Sequence, residues 1–98
     1  MIYLFLANGF EEIEALTTVD ILRRAGCNIV TVGVGGKEIT GAHNIKVIVD
    51  IDESEADTKD LDMVILPGGM PGTINLEKSK TVQNTIKFCY ENDKYLAA

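Results

Sequence analysis

The chain has 98 residues, 46% of them apolar, and its 9 basic and 15 acidic side chains leave a net charge of −6. That size suits one small domain or part of a larger one, and that apolar content excludes a disordered chain. The acidic balance argues against nucleic acid or an anionic membrane as partner, since both call for concentrated Lys and Arg.

The opening MIYLFLANGF lacks the basic start and small-residue cleavage site of a signal peptide. No apolar run reaches the ~18 residues that span a bilayer. Cys27 and Cys89 form neither a CxxC pair nor a disulfide framework, which fits a reducing compartment. The expectation is a cytoplasmic protein.

Ile2 to Ala7, Ile29 to Val34 and Met63 to Leu66 are short, nearly unbroken apolar runs. Such runs suit strands buried on both faces of a parallel sheet. Between the first two, Glu11 to Ala25 reads as a helix with Ala15, Leu16, Val19 and Leu22 as its core stripe, stopped by Gly26. This is a βαβ unit. Lys37 to Ile39 and Asn44 to Val49 read as two short strands around a turn at Gly41. Asp50 to Asp60 reads as a solvated connection with a short helical turn. Pro67-Gly68-Gly69 closes the next strand as a turn. Ser79 is placed to cap a helix from Lys80 to Asn92 whose apolar face holds Val82, Ile86, Cys89 and Tyr90. Lys94 to Ala98 begins another strand. A doubly wound fold follows each inner strand with a turn and a crossover helix. The expectation is therefore that residues 1–98 are the N-terminal portion of a single domain, incomplete on its C-terminal side.

The Leu66-Pro67-Gly68-Gly69 turn carries the strongest chemical signal. Ligands of open α/β sheets bind outside the carboxyl ends of strands. Glycines there admit close backbone approach, and their N–H groups can face a developing negative charge. The plain alternative is a tight turn without chemistry. Glu11, Glu12 and Glu14 open the first helix, where its dipole favours carboxylates by about 0.3–1 kcal/mol each. That suffices for Glu11 and Glu12. Glu14 shares a face with Thr17, Thr18 and Ile21 that bears no other charge, so the helix has two weakly polar faces. Such a helix is covered twice, by its own sheet and by another segment or subunit. A glutamate held there is partly desolvated and suited to carrying a proton.

Other patterns fail. Thr31 and Glu38 break a phosphate-binding loop around Gly36-Lys37, and Glu38 also ends a GxGxxG pattern begun at Gly33. Asp50 and Asp52 lack a third cation ligand nearby in sequence. His43, the single histidine, fits a surface or turn-stabilising role. Cys89 and Cys27 read as packing. No cofactor or metal is expected.

Taken together, Ala7-Asn8-Gly9-Phe10-Glu11-Glu12-Ile13-Glu14, Val19 to Gly26, Gly41-Ala42-His43-Asn44-Ile45, Asp62 to Gly72 and Leu96-Ala97-Ala98 resemble the ThiJ/PfpI (DJ-one) family over the whole chain. The resemblance implies a flavodoxin-like fold, with helices on both faces of a mostly parallel sheet, of the class I glutamine amidotransferase-like kind. It implies that Glu14 is the acid/base partner of a nucleophilic cysteine, and that Gly69, beside Gly68, supplies the oxyanion hole. The cysteine falls by that pattern at the second position past Ala98. Neither Cys27 nor Cys89 can replace it. Family activities include glyoxalase-type, deglycase, amidase or peptidase-like (hydrolase) reactions and stress response, and some members carry a label for thiazole monophosphate biosynthesis. The implied partners are a small carbonyl or peptide substrate, a second copy meeting at the first helix, and the remainder of the chain. Two alternatives stay open. One is a non-catalytic oxidative-stress sensor or chaperone-like protein of the same fold. The other is a receiver or flavin module, disfavoured because Asn8 and Pro67 stand where receivers need acidic residues.

Overall fold

The computed structural model describes residues 1–98. The elements are β1 (Ile2–Leu6), α1 (Glu12–Arg24), β2 (Ile29–Gly33), β3 (Glu38–Thr40), β4 (Lys46–Ile48), β5 (Ile51–Asp52), a 3₁₀ turn (Glu53–Glu55), β6 (Met63–Ile65), α2 (Gly72–Glu77), α3 (Lys80–Glu91) and β7 (Tyr95–Ala97). Five strands form one parallel sheet in the order β5-β2-β1-β6-β7, while β3 and β4 form a separate antiparallel hairpin.

The apolar run of β1 is continuous because both faces of the sheet are covered. Tyr3, Phe5 and Ala7 point to one side, where they pack with Val64, Leu76, Val82 and Cys89 beneath α2 and α3. Leu4 and Leu6 point to the other, packing with Phe10 of the following loop, with Ala15 and Val19 of α1 and with Ile39 and Val49 of the hairpin region. Alternation along the strand thus feeds two cores. Each fully buried Leu or Phe contributes about 1.5–3 kcal/mol. The layered, mostly parallel architecture expected from the sequence is present.

Local chemistry sets the helix ends. Glu11 caps α1, its Oε1 accepting the Ile13 N–H at 2.9 Å. Ser79 caps α3, its Oγ accepting the Val82 N–H at 3.1 Å. Because the same hydroxyl donates to Glu53 Oε1 at 2.7 Å, and Glu53 Oε2 accepts the Gly35 N–H at 2.8 Å, one carboxylate links the 3₁₀ turn to α3 and to the turn after β2.

Several sequence expectations need correction. Leu16 is 38% exposed and Tyr90 80% exposed. The buried stripe of α1 runs through Ala15 and Val19, and that of α3 through Val82, Thr85 and Cys89. Leu16 and Tyr90 each follow a stripe residue by one position, about 100° around the helix. Cys27 is exposed, in the turn after α1, rather than packed. The 50–60 segment is a connection with no buried residue and a short helical turn at Glu53–Glu55, as expected, but its start is structured in a way that was not. Asp50 Oδ2 accepts from Thr31 N (2.9 Å), Thr31 Oγ1 (3.0 Å) and Arg23 Nη2 (2.7 Å), and β5 pairs with β2 as an edge strand. Burial pushes the Asp50 carboxyl up, but the Thr31 hydrogen bonds and the Arg23 charge overcome it and hold it below the usual carboxylate range. Helix α2, six residues long, is too short to show a helical period in sequence.

Candidate functional site

The chain winds outward from β1 through β2 to β5 in one direction, and from β6 to β7 in the other. The order reverses between β1 and β6, and the crevice at their carboxyl ends is where open α/β sheets bind ligands. Two loops meet there, residues 7–11 after β1 and 66–71 after β6. They are stitched together by Glu11 N–H donating to Gly68 O (2.9 Å), Gly72 N–H to Gly9 O (3.2 Å) and Asn75 Nδ2 to Asn8 O (2.7 Å).

Gly69 is required by this stitching. Its φ is +109°, and a Cβ there would lie 2.5 Å from Glu11 N and 2.7 Å from Gly9 O. The loops approach at a distance that only glycine permits.

Glu14 stands in the first turn of α1, beside the second loop. Its Oε1 accepts the Gly68 N–H at 3.2 Å. The neighbouring Gly69 N–H donates to no group in the chain, while its carbonyl accepts from Thr73 N (2.9 Å) and Thr73 Oγ1 (3.0 Å). Glu14, Leu66, Pro67 and Ala98 line two adjoining cavities. One, of about 480 Å³, runs along Thr17 and Ile21 of α1. The other, of about 310 Å³, runs toward Thr73 and Gln83. A carboxylate beside an unoccupied backbone N–H can pass a proton and hold a developing oxyanion.

The three residues singled out in sequence, Glu14, Gly68 and Gly69, therefore lie together. In this chain by itself Glu14 is exposed, on a side of α1 that also carries Ile13 and Ile21, 76% and 58% exposed. Neither cysteine reaches the site. Cys27 is in the turn after the far end of α1. Cys89 is fully buried on the inner face of α3, where burial pushes its thiol up and outweighs the opposing Lys94 charge.

Sequence reasoning missed the role of Glu12. It is 4% exposed, although a first-turn glutamate ordinarily faces water. Its Oε2 accepts the His43 N–H at 2.7 Å and the Ile45 N–H at 3.3 Å, and its Oε1 meets His43 Nδ1 at 2.8 Å. Burial pushes the carboxyl up. The His43 ring and the backbone N–H groups of Glu12, His43 and Ile45 more than offset it, lowering the pKa to about 2. His43 is raised, first by its hydrogen bond to Glu12 and then by the charges of Glu12 and Glu11. The hint in sequence was His43, read there as a surface or turn-stabilising residue; at Gly41, beside it, any side chain would run into the Glu12 carboxyl group. Ligating atoms of Glu11, Glu12 and His43 lie within 4.8 Å of one another. The Glu12 oxygens are already engaged by three hydrogen bonds, so the grouping is a hydrogen-bonded cluster that fastens a turn.

No helix is long and apolar enough to cross a membrane. The sequence is 32% identical over 90 residues to protein DJ-1 homolog B of Arabidopsis thaliana, covering 91% of this chain and 20% of that one. It is 36% identical over 84 residues to the Parkinson disease protein 7 homolog of Danio rerio, covering 84% and 44%. The fold superposes on Toxoplasma gondii DJ-1 in its oxidized form with a TM-score of 0.93 at 28% identity, covering 98% of this chain and 53% of that one. Drosophila melanogaster DJ-1beta gives a TM-score of 0.93 at 26% identity, with 98% and 53% covered. The chain thus spans less than half of these curated relatives and about half of these solved chains. The DJ-1/PfpI family profile matches residues 1–98 throughout, and the chain belongs to that family.

Proposed function

We propose that this chain supplies the proton-carrying and oxyanion-binding side of a cysteine-dependent site acting on a small carbonyl compound, an amide or a peptide. The thiol comes from a segment outside these 98 residues, the remainder of the same domain. The observation that carries the reading is the Glu14 carboxylate against the Gly68 N–H at 3.2 Å, at the switch point of a DJ-1/PfpI chain.

In this reading the thiolate sulfur bonds to the carbonyl carbon as the π pair moves onto oxygen. The Gly69 N–H, and the Gly68 N–H once Glu14 turns to the thiol, hold that oxygen. Glu14 takes the thiol proton and returns it to the oxygen or to the leaving group. The reaction is of the glyoxalase, deglycase or amidase type, needs no cofactor, and runs in the cytoplasm, where thiols stay reduced. The bare face of α1 around Ile13 and Ile21 meets a second copy in a homodimer.

The first test is the intact mass of the purified protein and of any polypeptide that co-purifies with it. A form that carries the cysteine is then assayed with methylglyoxal, amide and peptide substrates, before and after thiol alkylation. Turnover abolished by alkylation, and lowered about 10²–10⁴-fold in kcat by Glu14→Gln, supports the reading. Absence of thiol-dependent turnover on every substrate removes it.

A second reading, a stress sensor or chaperone-like protein without turnover, draws support from the Toxoplasma relative, which was solved oxidized. It expects protection of a client from aggregation that Glu14→Gln leaves intact.

A further inference from the structure

The turn between β3 and β4 is held to α1 by an arrangement that the chemistry above does not use. Glu12 is buried, yet three hydrogen bonds from one short turn converge on its carboxylate: the His43 N–H, the Ile45 N–H and the His43 ring. The turn is also pinned by Ala42 N–H donating to Phe10 O at 2.8 Å, and closed on itself by Gly41 N–H to Ile45 O at 2.9 Å. The imidazole itself is open to water, with its side chain 68% exposed. One partner of the pair is thus fixed and buried while the other can exchange protons freely with solvent.

We propose that His43 and Glu12 form a proton-operated latch that fastens the 41–45 turn to the first turn of α1, the same turn that presents Glu14 to Gly68. The inference rests on this geometry and not on the proposed chemistry of Glu14. The charged groups facing the imidazole come from the start of α1 and its cap: Glu12 at 2.8 Å and Glu11 at 4.0 Å. On its own hairpin, Lys46 and Glu38 face each other at 3.6 Å. Both carboxylates facing the ring are acidic, so protonation of the ring tightens the latch and deprotonation loosens it.

The direction follows from the two partners. His43 is raised above its ordinary 6.5, so its contribution is complete below pH 6.5 and is lost as pH rises through the folded value. Glu12 is lowered from 4.5 to about 2, so its contribution is complete above pH 4.5 and is lost as pH falls toward 2. The latch is tightest between those limits and loosens on the alkaline side through loss of the His43 charge. Loosening removes the positive partner from Glu12 and leaves the turn held by the backbone N–H groups of His43, Ile45 and Ala42.

The test is NMR on the protein between pH 5.5 and 8.5, following the His43 ring and the exchange protection of the Gly41, His43 and Ile45 amides, corrected for intrinsic exchange. The expected result is a His43 midpoint above 6.5, with protection falling by up to about tenfold per pH unit through the titration. His43→Gln, an exposed substitution, is expected to give lower protection that no longer varies with pH. Glu12→Gln is expected to bring the His43 midpoint back toward 6.5. A folding failure of that buried variant leaves the His43→Gln comparison decisive. A wild-type midpoint at or below 6.5, or His43→Gln protection that follows the wild-type pH dependence, overturns the proposal.

Discussion

Replacing Gly69 by alanine tests whether the two loops of the crevice are held as closely as the structure has them. Two costs add. A φ of +109° is outside the regions an alanine favours, at about 1–3 kcal/mol. The new methyl would also lie 2.5 Å from Glu11 N and 2.7 Å from Gly9 O. These are backbone atoms locked by the Glu11–Gly68 and Gly72–Gly9 hydrogen bonds, so they cannot swing aside. Overpacking of that kind costs about 1–3 kcal/mol. Together about 4 kcal/mol is expected, a large share of the 5–15 kcal/mol that holds a typical domain together. Gly26→Ala is the matched control. It has a φ of +83° but nothing within 4 Å of its new Cβ, so only the backbone penalty applies, about 1–2 kcal/mol. Urea unfolding of the wild type and both variants measures the difference. Gly69→Ala should be less stable than Gly26→Ala by about 2 kcal/mol or unfolded outright. Equal losses in the two variants would refute the close approach at Gly69 and with it the geometry of the crevice.

Phe5 is fully buried at the centre of the sheet, packed on Tyr3 edge to face at 5.9 Å. Phe5→Ala is expected to cost about 3–5 kcal/mol in the same unfolding experiment. Ser79→Ala removes both the α3 cap and the proton donated to Glu53, with an expected loss of about 1–2 kcal/mol. A loss under about 0.5 kcal/mol would mean that the cap does not hold the helix start. With exposed Cys27 and buried, raised Cys89, a thiol reagent on the folded protein should modify Cys27 quickly, and Cys89 only after denaturant is added. Mass mapping of the modified peptides checks the order, and early modification of Cys89 contradicts the packing of α3.

The residues of the candidate site were legible in the sequence because each has a local cause. A carboxylate in the first turn of a helix and a Pro-Gly-Gly turn after a buried strand are one-dimensional signals, and both fall at strand ends, where α/β sheets bind ligands. Their separation was not legible. Glu14 and Gly68 are 54 positions apart and meet only because the strand order reverses between β1 and β6. The parallel sheet could be read from its apolar runs. Edge strand β5 could not, since its two residues pair with Val32 and Gly33 through backbone atoms and carry no apolar pattern of their own.

Glu12 marks the boundary most sharply. By itself the sequence determined that three glutamates open α1 and that a lone histidine lies in a glycine-containing turn. Only the tertiary structure decided which glutamate is buried, because the hairpin folds back over α1 and brings His43 to Glu12 across 31 positions. Helical periodicity fixes which way a side chain points, but what waits for it there depends on how remote segments pack.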